Sequence, residues 1–301
     1  MGLFDGSKKN KLMKKGYNLF NQGKYQESLE CYDKILEIDP IYIKAWHGRG
    51  AVLQNLEQYK ESLKSYGYAL GIDPNYFNAW SGKGYALDKL DKYQEALECY
   101  NKALELNPRY TDAWYNKGRI LDIRFKEHQN ALECYDKVLE IDPKYIGAWY
   151  SKATTLILIC EYDKSLECLE RVIELDSSYE NVWISKGIVL GNLNRYEEAI
   201  ISFSKGLELN PKEDMGWNFK ATAYDNLGEY DKSLECLEKA LILNPKNFYA
   251  WTDKGNILNQ LNKPQEAIKC LDKALELNPD YTYAKESKEK ILSIIESELH
   301  E

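Results

Sequence analysis

Cysteine and histidine are the side chains most able to hold a metal or attack a carbonyl, so their spacing is the first test of chemistry. Cys31, Cys99, Cys134, Cys168, Cys236 and Cys270 recur at 34 residues or multiples of it, with one extra residue between Cys99 and Cys134. Neighbours one such step apart are too distant for a disulfide, whose α-carbons must come within about 7 Å. No Cys-x-x-Cys occurs, so the ligand pair of a closed zinc site is missing. These thiols are expected to be small packing residues in a reducing compartment. Cys160 alone leaves the register, which leaves it open as an accessible thiol. His47, His128 and His300 stand far apart, with no His-x-x-x-His and no Gly-x-Ser-x-Gly. No catalytic residue, cofactor site or metal site is expected. His128 fills a slot held elsewhere by Tyr25, Tyr59, Tyr93, Tyr162, Tyr196 and Tyr230, and is read as a packing substitute.

Charge narrows the partners. With 40 Lys and Arg against 48 Asp and Glu in 301 residues, the net charge of −8 argues against a polyanion ligand. The 24 tyrosines and 7 tryptophans could stack bases, yet no basic stripe accompanies them, so core packing is expected and nucleic acid is not. The longest apolar run, Leu156 to Cys160, is too short to span a membrane. The first residues lack an apolar signal core, and Gly6 stands where a myristoylation motif needs Ser or Thr. A cytoplasmic location is the expectation.

The elements that must position these residues follow from a repeat. Tryptophan falls at 46, 80, 114, 149, 183, 217 and 251, in steps of 34 with a single 35. Pro40, Pro74, Pro108, Pro143, Pro211, Pro245 and Pro279 keep the same ladder, with Ser177 in the empty slot. Eight units result: 9–42, 43–76, 77–110, 111–145, 146–179, 180–213, 214–247 and 248–281, leaving 1–8 as an N-terminal tail and 282–301 as a C-terminal segment. The inserted residue is placed in a turn near Phe125–His128, where insertions cost least. Within the third unit, Trp80, Gly84 and Leu87 mark one helix face, and Tyr93, Ala96, Leu97, Tyr100, Ala103 and Leu104 mark a second. Asn107-Pro108 ends that second helix. Each helix is too short to persist alone, so neighbouring units must cover one another.

Trp80, Gly84, Leu87, Ala96, Tyr100, Ala103 and Pro108 resemble the tetratricopeptide repeat (TPR) pattern, and so do Trp183, Gly187, Ala199, Phe203 and Pro211. The resemblance implies an all-α fold, a right-handed α-solenoid of eight helix-turn-helix units with a C-terminal capping helix at 282–301. Leu12 replaces Trp in the first unit, as suits an end. A cation stands where the family has Leu before Gly, as in Lys15, Arg49, Lys83, Lys117, Lys152, Lys186, Lys220 and Lys254, its stem packing while its charge reaches water. Ala284, Lys288, Ile291, Leu292, Ile295 and Leu299 form the apolar stripe of the cap. Glu30/Lys34, Glu98/Lys102, Glu133/Lys137, Glu167/Arg171 and Glu235/Lys239 are spaced as i,i+4 pairs on an outer face. Trp114 is expected in the core.

In the family, the free face of each first helix lines a concave groove that holds peptides or partner helices. Transferred by position, that face includes Tyr85, Tyr115, Asn116, Arg119, Tyr150, Thr154, Ile157, Leu158, Ile184, Ile188, Asn218 and Asn256. Lys14, Lys44, Lys89 and Arg119 roughly balance Asp88, Asp112, Asp122, Asp225 and Asp253. The Lys and Asn pair that grips a C-terminal carboxylate in some members is replaced by Met13/Tyr17, His47/Ala51 and Ser81/Tyr85, which disfavours that ligand. Ile157, Leu158, Ile184 and Ile188 break the polar rule of the face, either as a hydrophobic anchor for a partner or as a greasier core or self-association surface. The expected function is a non-catalytic protein-binding scaffold or adaptor. The alternatives are an accessory subunit that recruits substrates to a separate catalytic chain, and self-association through the array ends.

Overall fold

The computed structural model describes residues 3–179 and 181–298. The positions Leu299 and His300, on which some expectations fell, lie outside the described residues. Among the described residues the chain is helical throughout, without a strand. The helices follow one another as α1 (Leu3–Asn21), α2 (Tyr25–Ile38), α3 (Ile43–Asn55), α4 (Tyr59–Ile72), α5 (Phe77–Asp88), α6 (Tyr93–Leu106) and α7 (Thr111–Ile120). They continue as α8 (His128–Ile141), α9 (Ile146–Leu158), α10 (Tyr162–Leu175), α11 (Val182–Asn192), α12 (Tyr196–Leu209), α13 (Asp214–Asn226), α14 (Tyr230–Leu243), α15 (Phe248–Gln260), α16 (Pro264–Leu277) and α17 (Thr282–Glu298). Two compact units are distinguished, residues 1–155 and 156–301. Within each, consecutive helices pack as hairpins and each hairpin packs on the next.

Local chemistry explains the punctuation. Each second helix closes on an Asp or Asn, followed by Pro in every repeat but the one that ends at Asp176-Ser177, and the residue before Pro disfavours helical backbone. In the longer loops that carboxylate or amide oxygen accepts a hydrogen bond from the backbone N–H two residues on, as from Asn75 to Asp73 at 2.9 Å and from Lys144 to Asp142 at 3.0 Å. The tryptophan ladder closes the same loop. Trp80 Nε1 donates to the Pro74 carbonyl at 2.8 Å, and Trp114 Nε1 to Pro108 at 2.9 Å. Trp183 makes the bond to Ser177 at 2.8 Å, because the acceptor is a carbonyl that any residue supplies.

Inside a hairpin the two helices meet where a side chain is absent. A Cβ on Gly187 would lie 2.5 Å from the Phe203 ring, and one on Gly118 2.8 Å from Tyr135. Where the facing ring is replaced by Leu237, the glycine is replaced by Ala221, and both are fully buried. The turn between the helices uses one left-handed residue: Gly23 and Gly228, but also Glu57, Asp91, Lys126, Cys160, Asn194 and Asn262 at φ of 57–62°. This explains why Cys160 falls off the cysteine register. It is an exposed turn residue, whereas the other six cysteines are buried second-helix residues.

Several expectations need correction. Residues 3–8, read from the sequence as part of a tail, are helical, because α1 begins at Leu3. Trp114 does pack against the core, though half-buried, with the Lys117 ammonium 5.3 Å from its ring centroid. The outer pairs do not form with the spacing read from the sequence. Lys102, Lys137 and Arg171 instead bind Glu105, Glu140 and Glu174, three residues on, at 2.8, 2.8 and 2.5 Å. Side chains lean toward the helix N-terminus, which carries the later glutamate back onto the cation. Lys239 leaves Glu235 for the face of Trp217, 4.5 Å from its centroid. In α17, Ala284 and Ile291 are buried but Leu292 is exposed, because adjacent residues point about 100° apart.

The cations that replace the family leucine are engaged rather than free. Arg49 binds Asp33 at 2.7 Å, Lys152 binds Asp136 at 2.5 Å and Lys186 binds Glu170 at 2.9 Å. Each acid lies sixteen residues earlier, on the second helix of the preceding hairpin. The inserted residue is absorbed by a π-helical turn, Leu121–Phe125, that extends α7, the usual way a helix accommodates one extra residue.

Candidate interaction surface

The first helices carry the transferred positions, and within residues 1–155 most of those side chains are already occupied. Tyr115 lies against Tyr135 and Tyr145, and its hydroxyl is 3.3 Å from Ser151 Oγ. Thr154 is half-buried and donates to the Ser151 carbonyl at 2.9 Å. Tyr150 and Asn116 are half-buried. Tyr85 is half-buried with the Lys89 ammonium 5.4 Å from its ring centroid. Arg119 is half-buried, makes no ion pair among the described residues, and lines a notch of about 200 Å³ with Asp88, Lys89 and Arg124. Its charge also reaches Tyr100, whose hydroxyl is buried without a hydrogen-bond partner among the described residues. Burial pushes that phenol far up, with the Asp88 charge adding to the effect and Arg119 opposing it. One hairpin earlier the equivalent Tyr66 donates to Gln54 Oε1 at 3.1 Å. Asp88 stands in the place of Gln54 and makes no such bond.

Asp122 behaves differently. It is buried, accepts from Thr155 Oγ1 at 2.9 Å and lies 2.7 Å from His128 Nδ1. His128 is therefore no simple packing substitute: it pins the π-helical turn to the start of α8. The pair does not form a nucleophile relay, because the Thr155 hydroxyl bonds the carboxylate and not the imidazole.

Within residues 156–301 the four apolar positions separate. Leu158 is 65 % exposed, at the end of its helix. Ile157 is half-buried. Ile184 is wedged over Gly206 and Gly216, where added Cβ atoms would come within 2.7 and 3.0 Å of its Cδ1. It fills a joint between α11, α12 and α13. Ile188 borders a cavity of about 250 Å³ with Phe203, Phe219 and Thr222, the two rings stacked at 6.0 Å. The remaining two positions are polar. Asn256 donates to the Tyr283 hydroxyl at 3.2 Å. Asn218 is only 5 % exposed and its Nδ2 donates to Asp253 Oδ2 at 2.9 Å. Asn218 Oδ1 and Asp225 Oδ1 are buried without a hydrogen-bond partner.

The sequence count of balanced charge conceals an order along the chain. Lys14, Lys44, Lys89 and Arg119 all precede residue 156, while Asp225 and Asp253 follow it with no cation at the corresponding positions. That order is visible in the sequence; the burial of the two aspartates is not. Burial raises both carboxyls, Asp253 to about 6. The six second-helix thiols stay protonated for a similar reason where a shift is resolved, Cys99 and Cys134 being pushed to about 11 by burial. Among the described residues no group of three or more His, Cys, Asp or Glu is placed to hold a metal, and no helix is long and apolar enough to cross a membrane.

Family comparison decides the class. Tetratricopeptide repeat models match residues 43–76, 77–110, 99–133, 146–179, 180–213, 215–247 and 248–281, and a TPR repeat model matches 16–57. The chain belongs to the tetratricopeptide repeat family. A tetratricopeptide array is a protein-interaction scaffold. Among solved structures it is similar to YrrB, a TPR protein with an unusual peptide-binding site, at 23 % identity and a TM-score of 0.54, covering 64 % of this chain and 99 % of that one. The Cut9–Hcn1 hetero-tetramer of the APC/C matches at 21 % identity and a TM-score of 0.62, over 97 % of this chain and 57 % of its own. MamA from Desulfovibrio magneticus RS-1 matches at 18 % identity and a TM-score of 0.53, over 57 % of this chain and 96 % of its own. At these identities the likeness is one of fold. The comparison with curated proteins gives no match.

Proposed function

We propose that this chain is a non-catalytic scaffold whose first-helix faces bind an extended peptide or a partner helix. One observation carries the reading. Of the buried polar atoms left without partners among the described residues, Asn218 Oδ1 and Asp225 Oδ1 belong to first-helix positions, and Tyr100 Oη belongs to α6 but feels the charges of Asp88 and Arg119 on the flanking first helices. The second helices are instead closed by ion pairs within a turn, such as Lys92–Glu95 at 2.8 Å and Lys273–Glu276 at 2.6 Å. A buried polar group costs free energy until it is paired, so unpaired groups favour the side on which a ligand completes them. The raised thiol pKa values and the absence of a nucleophile bonded to His128 support a role without chemistry.

The test is a display selection of random dodecapeptides on the full chain, followed by photo-crosslinking of a selected peptide. A photoreactive residue replaces Tyr85 or Asn256 in one set and Glu105 or Lys273 in another. Crosslinks from the first set only are expected. Selected peptides that crosslink through Glu105 or Lys273, or a selection that yields no binder, would overturn the proposal.

A further inference from the structure

The corner where α13, α15 and α17 meet is rich in acceptors and poor in donors. Asn218 and Asp225 project from α13, Asp253 from α15 and Tyr283 from α17. The orientation of the Asn218 amide is fixed, because only its nitrogen can donate to the Asp253 carboxylate 2.9 Å away. Its Oδ1 is thereby committed as an acceptor, and nothing in the described residues donates to it. Asp225 presents a second buried oxygen in the same condition. The two carboxylates sense one another: the Asp225 charge raises Asp253, on top of a larger effect of burial that the Asn218 bond only partly offsets. Tyr283 is raised by burial and by both carboxylates, and its hydroxyl already accepts from Asn256.

The nearby cations face elsewhere. Lys220 stands over the Trp217 and Tyr224 rings, at 5.5 and 5.9 Å, and Lys254 binds Glu238 at 3.3 Å. With two carboxylates and no third acidic or imidazole ligand, the corner does not meet the requirement of a metal cage. The donors present, the Asn218 amide N–H and the Tyr283 hydroxyl, leave Asn218 Oδ1 and Asp225 Oδ1 unpaired, and an excess of acceptors matches a group that is all donor and positively charged. Lys offers three N–H bonds and Arg five, and neither accepts.

We infer that the Asn218–Asp225–Asp253 corner is a receptor for one basic side chain, Lys or Arg, of a polypeptide bound on this face. The inference rests on the peptide-binding reading only for the origin of that side chain. The ammonium or guanidinium enters between the carboxylates, takes Asn218 Oδ1 and Asp225 Oδ1 as acceptors, and fixes the register of the chain that carries it.

The corner is tested without any peptide. The full chain is labelled with 15N-asparagine, and the Asn218 side-chain resonance is assigned by its loss in Asn218→Ser. It is then titrated with butylammonium, methylguanidinium and, as the neutral control, butanol. A saturable shift with one or both cations and none with butanol is expected, and which cation binds more tightly separates Lys from Arg. Asp225→Asn and Asp253→Asn, each checked for unchanged helical dichroism, are expected to weaken that binding at least tenfold. No saturable shift with either cation, a shift of equal size with butanol, or binding undiminished in both variants would overturn the inference. Cation binding in a chain that selects no peptide would keep the corner and remove the function; first-helix crosslinks without cation binding would do the reverse.

Discussion

Asp122 and Asp225 occupy the same place in their repeats, the twelfth residue of the fourth and seventh units, and have opposite fates. Asp122 is held by Thr155 and His128. Asp225 has a buried oxygen with no partner. The difference lies in what surrounds the residue, not in the residue. In the fourth unit the π-helical turn places His128 on the carboxylate, and the next first helix supplies a hydroxyl. In the seventh unit the neighbouring first helix supplies Asp253, a second acid. One aspartate is a joint of the fold; the other keeps a buried oxygen that no described residue pairs.

The sharpest way to break this comparison is Asp122→Ala. It strips His128 and the buried Thr155 hydroxyl of their shared acceptor and is expected to cost about 2–4 kcal/mol in urea unfolding. A shift within about 0.5 kcal/mol would mean that the pair holds nothing.

Asp253→Asn is expected to act in the opposite direction, raising stability at pH 7 by about 1–3 kcal/mol. The folded-state carboxyl of Asp253 titrates near 6, above its ordinary 3.8, because of burial first and the Asp225 charge after it. Ionisation is therefore harder in the folded chain than in the unfolded one. The penalty is fully present above pH 6 and is relieved as pH falls toward 4. The gain from the substitution should shrink over the same window when urea midpoints are compared from pH 7 to pH 4. A gain that grows on acidification would refute the assignment.

Smaller effects sharpen the contrast. Thr155→Val removes one of the two bonds to Asp122 and is expected to cost about 1 kcal/mol by the same urea assay. Lys126→Gly relieves the left-handed turn that follows the inserted residue, φ 57°, and is expected to raise stability by about 0.5–1 kcal/mol. Destabilisation by the glycine would show that Lys126 contributes a contact that outweighs its backbone cost.

The hairpins were legible because their signals are local. Asn107-Pro108, Trp80 and the Gly84–Tyr100 match sit within one repeat and need no knowledge of the rest. The first-helix face was legible as a set of positions, and less so as a surface. Ile184 reads as free until Gly206 and Gly216, residues of two other helices, open a notch for it. His128 reads as a tyrosine substitute until the insertion before it bends α7 onto it. The order of charge along the first helices was present in the sequence, but summing over the whole chain erased it. The pairing of Asn218 with Asp253 joins residues of two repeats, 35 positions apart, and no periodicity announces it.

The loop clip has a practical consequence. Seven indoles share one arrangement, each with its nitrogen on a carbonyl six residues earlier, and the first repeat has Leu12 in that place. Intrinsic fluorescence thus works as an odometer: every indole reports the joint with the repeat before it, and loss of the opening repeat is read through Trp46, whose acceptor Pro40 belongs to that repeat.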